Sequence, residues 1–203
     1  MLVTGIKSKP IYAPLLADAA GRYHLMLGHG VGGAPLERVL EELAASTPQA
    51  LARTRVLYVA DAGSVDGYGA RFSARVRDVR QFGGVPELLA DFRALLTTSL
   101  MGTRLYVAGP ESFIGVAMRI ALEFNLNKDE IRAEECGSLA RRVYCIHCRA
   151  TTENVRTNIA QCVACRRHLI VRDHYSRRFA AYMGVMADAE VPGELPPIKE
   201  VFA

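Results

Sequence analysis

The clearest structural signal in the chain is the stretch YHLMLGHGVGGAP, at residues 23–35. Its first five residues predict a short apolar strand, and the glycines that follow predict a tight turn. Pro35 suits the first turn of a helix, where its missing N–H is not needed for a hydrogen bond. The stretch therefore predicts a strand, a glycine-rich turn and a helix in succession. Apolar residues recur at helical spacing in that helix, at Leu36, Val39, Leu40 and Leu43.

The same alternation of strand and helix continues along the chain. Further strands are predicted at 56–60 and 104–108, and helices at 85–99 and after Gly109-Pro110. Residues 61–84 show no clear period and are assigned no element. Short apolar strands that alternate with amphipathic helices form parallel sheets covered on both faces. We therefore predict an α/β domain with a doubly wound parallel sheet over residues 1–137.

Two of the predicted turns lie where a strand gives way to a helix. Residues 30–35 read G-x-G-x-x-P, and Gly109-Pro110 follows another strand. Glycines at such a turn let the backbone approach a pyrophosphate, and the helix N-terminus supplies free N–H groups. A tight turn without any ligand would produce the same pattern. The candidate nucleotide crevice consists of Gly30, Gly32, Gly33, Gly109 and Pro110.

The segments GVGGAP (30–35) and LYVAGPESF (105–113) resemble the nicotinamide-binding half of the ferredoxin-reductase-like flavoproteins. The resemblance extends roughly from residue 23 to 137, and it implies a pyrophosphate at the first turn and a nicotinamide beside the second. Three features depart from the family pattern. Too few residues precede Tyr23 for a flavin-binding barrel, Ala108 replaces a cysteine, and Asp61 stands where a basic residue would meet a 2′-phosphate. These departures favour a repurposed domain and leave NAD(P)H binding open.

The last third of the chain differs from this domain in charge and in cysteine content. The net charge is +4, yet residues 139–178 hold nine arginines against Glu153 and Asp173, which gives +7 there and −3 elsewhere. All five cysteines lie beyond residue 135. In a reducing cytosol, clustered cysteines are more often metal ligands than disulfides. We therefore predict a second, small domain over residues 138–203.

Four of these cysteines follow the pattern C-x2-C-x13-C-x2-C. Each C-x2-C pair forms a tight turn, called a knuckle, and the four sulfurs of two knuckles can coordinate one metal ion tetrahedrally. Zinc is favoured over iron because Arg149 and Arg166 follow the two pairs, where rubredoxin-type iron sites usually have glycine. Four protein thiolates leave no open coordination position, so the zinc would be structural. Cys136 is predicted to be a buried residue outside the site. The predicted ligands are Cys145, Cys148, Cys162 and Cys165.

The segments YCIHC (144–148), CVAC (162–165) and LIVRDHYSRRFAAYMGVMADAEVPGE (169–194) resemble the C-terminal part of a small subunit of dimethylamine monooxygenase. This resemblance implies a multisubunit enzyme that uses O2 and a reduced nicotinamide to convert dimethylamine into methylamine and formaldehyde. It implies that heme and flavin or iron–sulfur centres lie on partner subunits. It assigns no catalytic residue to this chain.

The leading interpretation is an accessory subunit of that monooxygenase, organised by a zinc ribbon. Two alternatives stay open. One is an electron-transfer component that binds NAD(P)H in the crevice and iron at the cysteines, and the other is a zinc ribbon that binds nucleic acid, which the sparse aromatic residues disfavour. The proline-rich segment 191–198 is expected to be extended and available to a partner. No signal peptide or membrane-spanning stretch is visible, so a cytoplasmic location is expected.

Overall fold

The computed structural model describes residues 8–63 and 66–203. The chain forms two compact units. The first unit is Tyr12–Gly137, and the second is Ser138–Ala203 together with the N-terminal segment up to Ile11. Within the described residues, no helix has the length and apolar composition needed to cross a membrane.

The first unit is built on a five-stranded sheet in which all neighbouring strands are parallel. Its strands are β1 (Tyr23–His29), β2 (Thr54–Val59), β3 (Asp78–Phe82), β4 (Thr103–Gly109) and β5 (Ile131–Glu135). They lie side by side in the order β3-β2-β1-β4-β5. The winding direction reverses between β1 and β4, so the carboxyl ends of these two strands flank the place where such folds bind ligands.

Helices cover both faces of this sheet, because alternate strand residues point to opposite sides. Leu25 and Leu27 of β1 belong to one buried apolar cluster, and Met26 between them belongs to the other. The first cluster contains residues of the helices α3 (Val85–Leu96) and α4 (Glu111–Glu123), and the second contains residues of α1 (Gly33–Ser46) and α2 (Tyr68–Ser73). The predicted doubly wound parallel sheet is therefore confirmed.

The second unit is a five-stranded sheet with mixed strand directions. Its strands are β6 (Arg141–Cys145), β7 (Thr151–Val155), β8 (Ile159–Gln161), β9 (His168–Ser176) and β10 (Ala181–Met186), in the order β7-β6-β10-β9-β8. β10 and β6 are parallel, and the other neighbouring pairs are antiparallel. The apolar core of this sheet is small and includes two of the cysteines. It contains Val143, Cys145, Val155, Cys162, Leu169, Val171, Tyr175 and Tyr182.

Both ends of the chain contribute to the second unit. The hydroxyl oxygen of Ser8 accepts a hydrogen bond from the Tyr175 N–H at 2.7 Å. At the other end, the N–H groups of Val201 and Phe202 both donate to the carbonyl of Arg156 at 2.9 Å. The last residues of the chain therefore lie against their own unit, whereas the proline-rich segment 191–198 that precedes them is exposed.

Candidate functional site

The two cysteine knuckles of the second unit are built alike. One follows β6 and the other follows β8, and each reverses the chain through a backbone hydrogen bond. The N–H of Arg149 donates to the carbonyl of Cys145 at 2.9 Å, and the N–H of Arg166 donates to the carbonyl of Cys162 at 3.1 Å. The sheet brings both turns to one place, so two cysteine pairs that 13 residues separate in the sequence lie next to each other.

The four sulfur atoms of these knuckles form a compact cluster. All of them lie within 4.8 Å of one another. The Sγ atoms of Cys145 and Cys165 are 3.8 Å apart, and those of Cys148 and Cys162 are 3.5 Å apart. A zinc ion with Zn–S bonds of about 2.3 Å holds its sulfurs about 3.8 Å apart, whereas a disulfide requires about 2.05 Å. The arrangement therefore fits a four-thiolate metal site and not a pair of disulfides.

The surroundings of the sulfurs differ between the two positions of each knuckle. Cys145 and Cys162 are buried, whereas Cys148 and Cys165 are partly exposed. Burial raises the pKa of the Cys145 thiol to about 11. A hydrogen bond from the backbone N–H of Arg167 lowers the pKa of the Cys165 thiol to about 6. Backbone N–H groups aimed at sulfur stabilise thiolates, which are the form that binds a metal.

Cys136 is not one of the four clustered cysteines; it directly follows β5 in the first unit, and it is half-buried where the sequence predicted a buried residue. Its backbone N–H donates to the carbonyl of Gly109 at 2.9 Å. Burial and the nearby Glu134 carboxylate raise the pKa of the Cys136 thiol to about 11, so at neutral pH it is a protonated, unreactive group.

The predicted crevice residues do meet at the carboxyl edge of the first sheet. Gly30 and Gly32 form a short 3-10 turn, and Gly33 begins α1. Gly109 ends β4, and Pro110 precedes α4. A β-carbon on Gly32 would lie 2.2 Å from the carbonyl oxygen of Ala108, so the turn packs directly on the end of β4. These glycines are thus explained by packing between the turn and the sheet.

Side chains of the domain itself surround the glycine turn. A β-carbon on Gly33 would lie 2.3 Å from the ring of Tyr68, and one on Gly30 would lie 2.2 Å from the carboxylate of Asp61. The hydroxyl of Tyr58 lies 2.8 Å from the Gly30 carbonyl, to which it can donate, and it also contacts the Asp66 carboxylate. An aromatic ring and two carboxylates therefore lie around the turn to which a pyrophosphate would bind.

One hydrogen-bond donor of the turn is already occupied within the protein. The N–H of Gly33 is used within the turn, where it donates to the carbonyl of Gly30. A phosphate at a helix N-terminus needs these donors and a local positive potential. The residues present do not fit a bound dinucleotide. Asp61 was noted in the sequence, but Tyr58, Asp66 and Tyr68 had no signal there because they reach the turn only through the fold.

His29 also lies at this edge, at the end of β1. Its Nε2 is 3.4 Å from the Asp61 carboxylate, and its ring packs edge-on against Phe113. Burial lowers the pKa of His29 below the ordinary histidine value, although the Asp61 carboxylate acts in the opposite direction. A mainly neutral imidazole beside a carboxylate offers little attraction to an anionic ligand.

Comparison with known families covers most of the chain. The N-terminal domain of the dimethylamine monooxygenase subunit DmmA-like family matches residues 4–131, and its C-terminal domain matches residues 142–185. The chain belongs to the DmmA-like family. The two matched regions correspond to the parallel sheet and to the cysteine-bearing sheet of this DmmA-like chain.

A curated relative is the heme-dependent oxidative N-demethylase delta subunit of Ectopseudomonas mendocina (strain ymp), which is 34% identical over 108 residues. The alignment covers 51% of the DmmA-like chain and 62% of that relative. Solved structures that match include a ferredoxin reductase of carbazole 1,9a-dioxygenase, with a TM-score of 0.46, 18% identity, and coverage of 60% of this chain and 35% of that chain. A type IV self-sufficient cytochrome P450 monooxygenase matches with a TM-score of 0.48, 16% identity, and coverage of 67% and 18%.

Proposed function

We propose that this chain is an accessory subunit of a multisubunit dimethylamine monooxygenase. In this proposal the complex uses NAD(P)H and O2 to convert dimethylamine into methylamine and formaldehyde, in the cytoplasm. The chain itself carries no catalytic residue, and its cysteine-bearing unit helps to hold the complex together. Heme and flavin or iron–sulfur centres are carried by the partner subunits.

The observation that carries this proposal is the four-sulfur cluster in a chain of the DmmA-like family. Four protein thiolates around one ion complete a tetrahedron, so such an ion has no position left for substrate or O2. A closed site of this kind supports a structural role. The name of the curated relative, a delta subunit of an oxidative N-demethylase, supports the assignment to a complex with further subunits.

We infer that the metal is zinc, with iron as the competing ion. Rubredoxin-type iron sites usually place glycine after each cysteine pair, whereas this chain has Arg149 and Arg166 there. Elemental analysis of the purified chain is expected to give about one zinc per chain and a colourless protein. A stoichiometric amount of iron with strong visible absorption would instead support an electron-transfer component.

We infer that the glycine turn of the first unit no longer binds a dinucleotide. The Tyr68 ring, the Asp61 carboxylate and the Gly33 N–H that is already bonded within the turn support this inference. Titration of the full chain with NADH or NADPH, followed by the fluorescence of the reduced nicotinamide, is expected to show no saturable binding. Saturable binding that a Gly32→Val substitution abolishes would contradict it.

Membership of the complex is tested by co-expression. The chain is produced with the other subunits of the N-demethylase from the same organism, and the mixture is separated by size-exclusion chromatography. We expect the chain to elute with the heme-bearing subunit at a fixed stoichiometry. A chain that elutes alone under all conditions, with full demethylase activity in the fractions that lack it, would end the proposal.

A further inference from the structure

Two arginines occupy the same unusual backbone position in the two knuckles. Arg149 and Arg166 each follow the second cysteine of a pair, and their φ angles are +68° and +63°. This left-handed region favours glycine, because a side chain there crowds the following peptide group. A non-glycine residue held in this region strains the backbone, and such strained residues cluster at functional sites.

Within the described residues, neither arginine has an ion pair, and both are exposed. The two acidic residues of segment 139–178 are already engaged. Asp173 pairs with Arg141 at 2.8 Å, and Glu153 pairs with Arg142 at 2.9 Å. The strained arginines therefore do not contribute ion pairs to the stability of their own unit, and their charges face solvent.

An aliphatic side chain is also exposed at the same place in each knuckle. Ile146 and Val163 directly follow the first cysteine of each pair, and they are 51% and 63% exposed. We use the name knuckle surface for these four residues, Ile146, Arg149, Val163 and Arg166. Because both turns converge on one cluster of sulfurs, the knuckle surface combines two exposed aliphatic groups with two unpaired cations.

We propose that the knuckle surface docks onto another subunit of the complex, at an apolar patch flanked by carboxylates. This inference rests on the proposed function and names the chemistry of the partner. Protein interfaces bury an apolar centre, and arginine is enriched in them because its guanidinium pairs with carboxylates through two parallel hydrogen bonds. The net charge of +7 over residues 139–178 attracts an acidic partner surface during association.

A protein partner fits the knuckle surface better than nucleic acid does. Proteins that bind single strands stack the bases on exposed aromatic rings. In this unit Tyr144 and Phe179 stack on each other with their ring centres 4.2 Å apart, and Tyr175 and Tyr182 are buried. Contacts with duplex phosphates would use the arginines and leave the two aliphatic side chains without a partner.

The arginines could also serve the metal, since four thiolates and a divalent ion carry a net charge of −2. The glycine substitutions Arg149→Gly and Arg166→Gly separate the two roles. They suit the left-handed backbone, so the fold is expected to tolerate them, and they remove both charges. If the arginines serve docking, the double variant keeps its zinc content and its Tm but loses affinity for the partner subunits.

The test compares full-length chains for association with the remaining purified N-demethylase subunits at several salt concentrations. The double glycine variant is expected to bind at least about tenfold more weakly at low salt, which is the scale of a central interface residue. A variant with Ile146→Asp and Val163→Asp is expected to bind as weakly, because its new carboxylates meet those of the partner. The control with Arg156→Ala and Arg177→Ala removes two exposed arginines outside the knuckles, and it is expected to bind like the wild type.

Four other results would each contradict docking through the knuckle surface. If the double glycine variant binds the subunits like the wild type, the knuckle surface is not the docking site, and the proposed function stands. If it loses its metal, the arginines serve the metal site. If the wild type binds a fluorescein-labelled DNA duplex and the variant does not, the partner is nucleic acid. If the wild type binds none of the subunits, the proposed function fails and the docking surface fails with it.

Discussion

The ring of Tyr68 lies against the α-carbon of Gly33, so close that a β-carbon on residue 33 would be 2.3 Å from the ring. Tyr68 begins α2, and Gly33 begins α1. The glycine-rich turn that resembles a nucleotide loop thus has a packing requirement within its own domain. A glycine required by a neighbouring ring predicts a stability defect when it is replaced, whether or not a ligand ever binds.

We therefore expect Gly33→Ala to destabilise the first unit. The added methyl group must displace the Tyr68 ring or shift α1, and overpacking of this kind costs about 1–3 kcal/mol. Urea unfolding of the full chain, followed by the circular dichroism of the helices, measures the change in the free energy of unfolding. Gly83→Ala is the matched control, because the nearest atom to its β-carbon would be the flexible carboxylate of Glu87, at 3.6 Å. Equal stability of the two variants would contradict the packing argument.

The sequence predicted those parts of the fold that have long, regular patterns. The helices α1, α3 and α4 have 12 to 14 residues, enough for the helical period to be visible. Two elements within residues 61–84 were missed, for a physical reason. The helix α2 has only six residues, and β3 (DVRQF) lies at the sheet edge with few apolar residues, so neither shows a period.

The cysteine cluster and the glycine turn also differ in how far the sequence predicts them. The grouping of Cys145, Cys148, Cys162 and Cys165 could be predicted because their spacing is a local property of two turns. The contacts that surround the glycine turn could not be predicted. Tyr58 comes from β2 and Tyr68 from α2, and only the tertiary packing brings their rings to the end of β1.

Removal of the metal is expected to unfold the second unit and spare the first. The core of the second sheet is small and includes Cys145 and Cys162, so we expect the binding energy of the proposed zinc ion to be a large part of its folding energy. Hydrogen exchange in the presence of a strong zinc chelator should show loss of protection in β6–β10 with protection retained in β1–β5. Unchanged protection of β6–β10 after complete zinc release would contradict this prediction.

A pair of cysteine substitutions gives the same test without a chelator. Cys148→Ser removes one of the four clustered sulfurs and should lower the zinc content and the Tm of the second unit. Cys136→Ser changes a half-buried thiol of the first unit that lies outside the cluster, so the zinc content should stay at the wild-type value. Loss of zinc in Cys136→Ser would place that thiol in the metal site.

The C-terminal end is expected to stabilise the second unit through Phe202. The guanidinium of Arg141 lies 3.9 Å from the ring centre of Tyr182 and 3.8 Å from that of Phe202, and it also pairs with Asp173. Phe202→Ala should lower the free energy of unfolding by about 1 kcal/mol, the scale of a partly exposed cation–π contact. Val201→Ala, which shortens a half-exposed neighbour, is the control and should change the stability less. An equal effect of both substitutions would show that the stacking does not contribute.

The first unit is expected to lose stability in mildly acidic solution because of His24. This side chain is only 2% exposed, its ring stacks on Tyr106, and its Nδ1 lies 3.2 Å from the Tyr106 hydroxyl. Burial lowers the pKa of His24 below the ordinary value of 6.5, so the folded state keeps the ring neutral where the unfolded state already binds a proton. As the pH falls below 6.5, the unfolded state is therefore favoured, and the loss ends once the pH is below the lowered pKa.

The free energy of unfolding of the first unit, measured between pH 8 and pH 5, should stay constant above about pH 7 and then decline with a slope of at most about 1.4 kcal/mol per pH unit for this histidine. His29, whose pKa burial also lowers, adds to the slope in the same direction. His24→Gln should reduce the slope, because a side chain that cannot titrate binds no proton in either state. His174→Gln, an exposed position of the second unit, should leave the slope unchanged. A slope that His24→Gln does not reduce would show that the acid sensitivity has another origin.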